Sequence, residues 1–196
     1  FWQKVLAQLA LTLPAPFAKS AEQDLMTKLT ITGEKSSSVI EAQVGEKLRF
    51  YGVLAHDQQV SFSRAHLLLG EDAMLLPLEG FHITSALAQA DFSQWQSLVN
   101  NIIAGINITD NTNQSVPLLA MPERIRGNIT QLNLYGQALT DVSFNVTDHT
   151  AWWLVELQAK ELRGDIKLHH EWLTQGVDVN LDFLHLPMKD SDKVVK

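Results

Sequence analysis

Alternation of apolar and polar residues with a period of two is the feature that most restricts what this chain can become. That period places apolar side chains on one sheet face and polar ones on the other. Val177, Val179, Leu181 and Phe183 alternate with Asp178, Asn180 and Asp182. Val142, Phe144 and Val146 alternate with Asp141, Ser143, Asn145 and Thr147. Trp153, Val155 and Leu157 continue the style less cleanly, because Trp152 and Leu154 add apolar bulk to the other face. Ile166 and Leu168 alternate with Asp165, Lys167 and His169 after Gly164, where a break or bulge is expected. Between Ile125 and Tyr135 the phase switches from Ile129 to Leu132, which predicts a bulge. One-sided alternation of this kind favours antiparallel strands, since buried parallel strands read as continuous apolar runs.

The first half shows the same pattern more weakly, in Leu9–Leu13, Leu29–Ile31, Leu48–Phe50 and Val60–Phe62, with glycines at 33, 45, 52, 70 and 80 as punctuation. One segment departs from it. Phe92, Trp95, Leu98, Val99, Ile102 and Ile103 fall on one helical face, with Asp91 as N-cap and Gly105 as stop. The stretch 107–114 reads as a loop. The expected organisation is a first β-rich repeat over 1–90, then an amphipathic helix and a second β-rich repeat over 91–196.

Composition narrows the function. The chain has 196 residues, is 45% hydrophobic and carries a formal net charge of -7. That charge opposes nucleic-acid binding, which needs a basic face to replace phosphate counterions. No apolar run approaches the roughly 18 residues of a membrane span. There is no cysteine, which removes disulfides, thiol catalysis and cysteine-bound metals. The chain begins Phe1-Trp2 without a secretory leader pattern, and is read as a segment of a longer protein.

His169 and His170 are adjacent on a strand and point to opposite faces, so with His149 and His185 they read as ordinary histidines and no metal site is expected. Asp178, Asn180 and Asp182 read as a solvated strand face. Glu71-Asp72 and Glu156 with Glu161 lack the partners of general acid–base chemistry. No nucleophile elbow or phosphate loop is present. The four Asn-x-Ser/Thr matches, at Asn107, Asn113, Asn128 and Asn145, read as chance. Trp152 and Trp153 put one ring on each face: one in the core, the other under a loop or at a ligand-accessible rim. The helix stripe reads as core rather than a membrane face, lacking basic flanks.

Several motifs occur in a distinctive order: Asp91-Phe-x-x-Trp95, Leu132-Asn-Leu134-Tyr135-Gly136, Trp152-Trp153-Leu154-Val155, Glu161-Leu-Arg-Gly-Asp-Ile166, and Leu181-Asp-Phe-Leu-His-Leu-Pro187. In this the chain resembles the AsmA-like family, in particular its large YhdP-type periplasmic proteins, related to TamB. The resemblance implies mainly antiparallel sheets curled into an elongated groove of repeated β units. It implies a parent anchored in the bacterial inner membrane, touching membrane through parts outside this segment, with a periplasmic body that conducts phospholipid toward the outer membrane and supports its permeability barrier. It implies no catalytic residue and no cofactor; the partners are phospholipid acyl chains and adjacent repeats of the same parent. The acyl-facing surface expected from strand parity is Val142, Phe144, Val146, Trp153, Val155, Leu157, Ile166, Leu168, Val177, Val179, Leu181 and Phe183. The alternative is a closed β-sandwich, serving as a structural or carbohydrate- or protein-binding module.

Overall fold

The computed structural model describes residues 2–6, 14–18, 25–33, 35–56, 61–70, 76–96, 118–170 and 172–185. The alternating runs form one open sheet of eleven strands whose spatial order is their chain order. The first five are β1 (Trp2–Leu6), β2 (Leu25–Gly33), β3 (Ser37–Val44), β4 (Leu48–Ala55) and β5 (Ser61–Gly70). The other six are β6 (Gly80–Asp91), β7 (Arg124–Leu134), β8 (Gln137–His149), β9 (Trp152–Gln158), β10 (Leu162–His169) and β11 (Val177–Leu184). A four-residue helix, Trp172–Gln175, links the last two. The chain is thus mainly β, in an open sheet consistent with a curved groove. The described residues build one sheet and no second one, so the closed sandwich is not what they form.

Neighbouring strands are antiparallel except at two joints, β5–β6 and β6–β7, which are parallel. Parallel neighbours need a crossover rather than a hairpin. The crossovers leave β5 at Gly70 and β6 at Asp91. Parallel strands are characteristically covered on both faces, and burial here follows suit. Ala65 and Leu68 are fully buried although their side chains point to opposite faces, and His66, Phe81, Thr84 and Ser85 are buried beside them. The sequence signal of this centre is the unbroken run Leu67-Leu68-Leu69.

The phase switch expected near residue 130 is present, but it is not a bulge. The β7–β8 register runs unshifted from Arg124↔Thr147 to Leu134↔Gln137, with the Thr130↔Asp141 pair missing. The β6–β7 ladder omits Ala88↔Thr130 at the same level. Asp141 there has a left-handed φ of 51°. Side-chain parity therefore inverts on three adjacent strands together. Leu132 and Leu139 beyond the break rejoin Leu87, Ile129 and Val142 in one core cluster. The β9–β10 turn clasps this break: Lys160 Nζ lies 2.7 Å from Asp141 Oδ2. Thr140 N–H donates to Glu161 Oε2 at 2.7 Å. That bond holds the Glu161 carboxyl below its usual range, with smaller help from Lys160.

Of the expected helix, residues 92–96 are helical and 97–104 lie outside the described residues. Asp91 caps it, accepting from Ser93 N–H at 2.9 Å. Trp95 meets Phe17 edge-to-face at 5.9 Å, and both pack on the core cluster. Phe92 packs edge-to-face on Tyr135, in the two-residue turn where Tyr135 and Gly136 both have positive φ, at 50° and 85°. Such φ values suit the twist of a tight hairpin. The expected strand at Leu9–Leu13 and loop at 107–114 lie outside the described residues, as does Val60.

Candidate functional site: the apolar face

Residues paired across a ladder point to the same face, so the register shows what each face carries. The row through Val155 runs Ile125↔Val146↔Val155↔Ile166↔Val179 over five strands. The next runs Gly127↔Phe144↔Leu157↔Gly164↔Leu181. A third joins Trp153↔Leu168↔Val177. The same face continues into the first half through Ile83 and Leu67 to Phe50, Ala42 and Leu29. Over the ten strands β2 to β11 at about 4.8 Å each, this face measures about 43 Å along the sheet.

Eleven of the twelve residues expected on the acyl-facing surface share this face. Phe183 does not. A bulge between Arg163 and Gly164 leaves Asp182 unpaired and sets Phe183 opposite Arg163, whose own row is Gln158 and Ser143. One inserted residue reverses strand parity, so Leu184 takes the place on the apolar side. Val142 shares the face but is only 1% exposed, inside the core cluster. It is shut off by the packing that closes this margin of the sheet. Phe144 and Leu157 are partly buried against the same cluster. Val146, Val155, Ile166 and Leu168 are half-buried, and Val177, Val179 and Leu181 are exposed. The face thus runs from sealed to open, from the β6–β8 break out to the edge strand β11.

Two glycines shape it. A Cβ at Gly127 would meet Ser85 Oγ, and one at Gly52 would meet the Phe62 ring. The second glycine seats Phe62 edge-to-face on Phe50 at 5.3 Å. Ser85 Oγ is buried on this floor with no hydrogen-bond partner among the described residues.

The opposite face is polar. Trp152 lies there, with His149 stacked on it at 5.7 Å and Lys167 Nζ 4.1 Å from its ring centre. Neither tryptophan is fully buried: Trp153, on the apolar side, leans on His170. His169 and His170 diverge as expected, to Asp178 at 3.5 Å and Asp148 at 3.1 Å. Asp178 and Asn180 remain on the polar face, where Asn180 donates to Asp165 at 3.1 Å. Among the described residues no group of histidines and carboxylates is arranged to hold a metal. No helix among them is long and apolar enough to cross a membrane. What this arrangement can do is offer one broad hydrocarbon-compatible surface, with the His170–Asp148 pair at its Trp153 margin.

No curated protein and no solved structure matches the chain. The family model described as YhdP protein matches residues 3–196. That match takes in the open sheet and both of its faces, and the chain belongs to the YhdP family.

Proposed function

We propose that this chain is a segment of a periplasmic bridge-like protein, anchored in the inner membrane by its parent, along which phospholipid passes toward the outer membrane. Acyl chains lie on the apolar face while headgroups stay near water. The observation that carries this reading is the continuity of that face. An apolar surface continuous over the ten strands β2 to β11, uncovered toward β11, is far larger than the scattered apolar residues of an ordinary soluble surface. Leaving Val177, Val179 and Leu181 half in water forgoes on the order of 3 kcal/mol of burial, which a bound acyl chain would recover. Membership of the YhdP family, which is not an enzyme family, supports a conduit over catalysis. Among the described residues β1 and β11 are the edges of the sheet, which suits its continuation by adjacent repeats of the parent. No nucleotide or metal enters this scheme.

Native mass spectrometry of protein purified without detergent tests it. Co-purifying phospholipid is expected, and Val155→Asp should strip it while circular dichroism stays β-rich, because a charge in the floor holds water where hydrocarbon must lie. A folded protein free of lipid in both forms would overturn the reading.

A further inference from the structure

The polar face has a concavity of its own. A cleft of about 650 Å³ opens across β7 to β11, lined by Arg124 and Arg126 at one side and Glu156, Asp165 and Asp182 at the other. A second hollow of about 170 Å³ adjoins it and shares Thr84, Arg124 and Arg126. The two arginines alternate on β7 and so project from one face about 7 Å apart. Each is held through Nε by a neutral acceptor: Arg124 by Asn145 Oδ1 at 2.7 Å, Arg126 by Thr84 Oγ1 at 3.3 Å. Thr84 is 3% exposed and is fixed in turn by the buried His66 Nε2 at 2.9 Å. The ion pairs among the described residues are Lys160–Asp141, His169–Asp178 and His170–Asp148, and neither arginine takes part.

Two like charges side by side on one strand face repel, and these two are anchored in place with the outer edges of their forks uncommitted. The register sets His82 beside Arg124, with His66 on its other side. Burial pushes the His82 pKa down, Arg124 and Arg126 push the same way, and Glu123 opposes them. Two carboxylates stand close by, Glu123 next to Arg124 in the chain and Glu156, which accepts from Asn145 Nδ2 at 2.7 Å, and neither forms an ion pair with an arginine among the described residues. Planar guanidinium forks on fixed stems match the oxygens of a tetrahedral anion. We propose that Arg124 and Arg126, with Thr84 and His82 beside them, form an anion site on the polar face that takes a phosphate group.

The phosphate has two sources of the same chemistry, a free phosphate or the phosphodiester of a glycerophospholipid headgroup. Both are offered to the protein at constant ionic strength, as inorganic phosphate and as glycerophosphoethanolamine, and followed by NMR of the arginine Nε–H groups and His82. Saturable shifts confined to Arg124, Arg126 and His82 are expected, and the His82 titration should move upward because a bound anion favours the imidazolium. Response to both probes identifies a site able to hold a headgroup; response to inorganic phosphate alone identifies a free-phosphate site. Arg126→Gln should weaken binding roughly ten-fold or more, by loss of a charge-assisted bond. Arg124→Lys keeps the charge and the fold yet should also weaken it, because the fork is gone. Lys47→Gln, in the exposed β3–β4 turn, should change nothing. Shifts no larger than those from sodium chloride at equal ionic strength, or binding indifferent to Arg124→Lys, would overturn the site.

Discussion

The centre of the sheet and its C-terminal wing are built from similar residues and end in opposite states. In β5 and β6, Leu68, Ala65 and Thr84 are buried although they lie on different faces. In β11 all eight residues are exposed, and Val177, Val179 and Leu181 keep 44%, 58% and 43% of their surface in water. Connection accounts for the difference. The central strands are parallel, and the crossover that returns the chain brings Leu76 and Pro77 to the hollow that His66 and Thr84 also line. The wing is an antiparallel meander whose described connections are short, the longest holding the four-residue helix Trp172–Gln175. Stability is therefore concentrated in the centre and at the β6–β8 break, while the wing leaves its apolar side exposed.

Substitutions that treat the two regions alike should separate them sharply. The largest effect is expected at Leu68→Ala, which should cost about 2–5 kcal/mol by leaving a cavity and lower the urea midpoint accordingly. Leu181→Ala, the same chemical change in the wing, should cost less than about 1 kcal/mol while reducing bound lipid. Equal losses of stability would erase the contrast. Ser85→Ala should be neutral or stabilising by about 1 kcal/mol, since it removes a buried hydroxyl without a partner among the described residues; thermal melts would register the gain.

The smallest effect concerns pH. Glu161 has its pKa lowered in the folded state, chiefly by the Thr140 N–H. Its contribution is present above the unfolded carboxylate value of about 4.3 and is lost as pH falls through the lower folded value. Urea titrations in acid should show Glu161→Gln converging with the parent there and falling slightly behind it near neutrality.

Much of this was legible in the strand parities and some of it was not. Val155, Ile166 and Val179 fall in one cross-strand row because antiparallel pairing preserves a period of two. Phe183 has the same spacing from Leu181 and is lost to the face, because a bulge is a matter of pairing and leaves no mark on the strand's own alternation. Gly164 hinted at it from the neighbouring strand. The parallel joints escaped for a related reason: direction is decided by the connection, and only the run Leu67-Leu68-Leu69 betrayed a strand covered on both faces. Val142 kept its parity and became core, since distance from the β6–β8 break is invisible in one dimension. The polar cleft was missed because nothing in the spacing of Arg124 and Arg126 shows that Thr84 and His66 stand behind them.

The central claim is that one face of the sheet meets hydrocarbon and the other does not. Photo-reactive side chains at Val155 and Val179, on the apolar face, and at Glu156 and Asn180, their polar-face neighbours, test it within a single strand pair and its edge. Irradiation in the full-length parent should give acyl-chain adducts of phospholipid at Val155 and Val179 and none at Glu156 or Asn180. Equal labelling of both faces, or labelling of the polar positions alone, would contradict it.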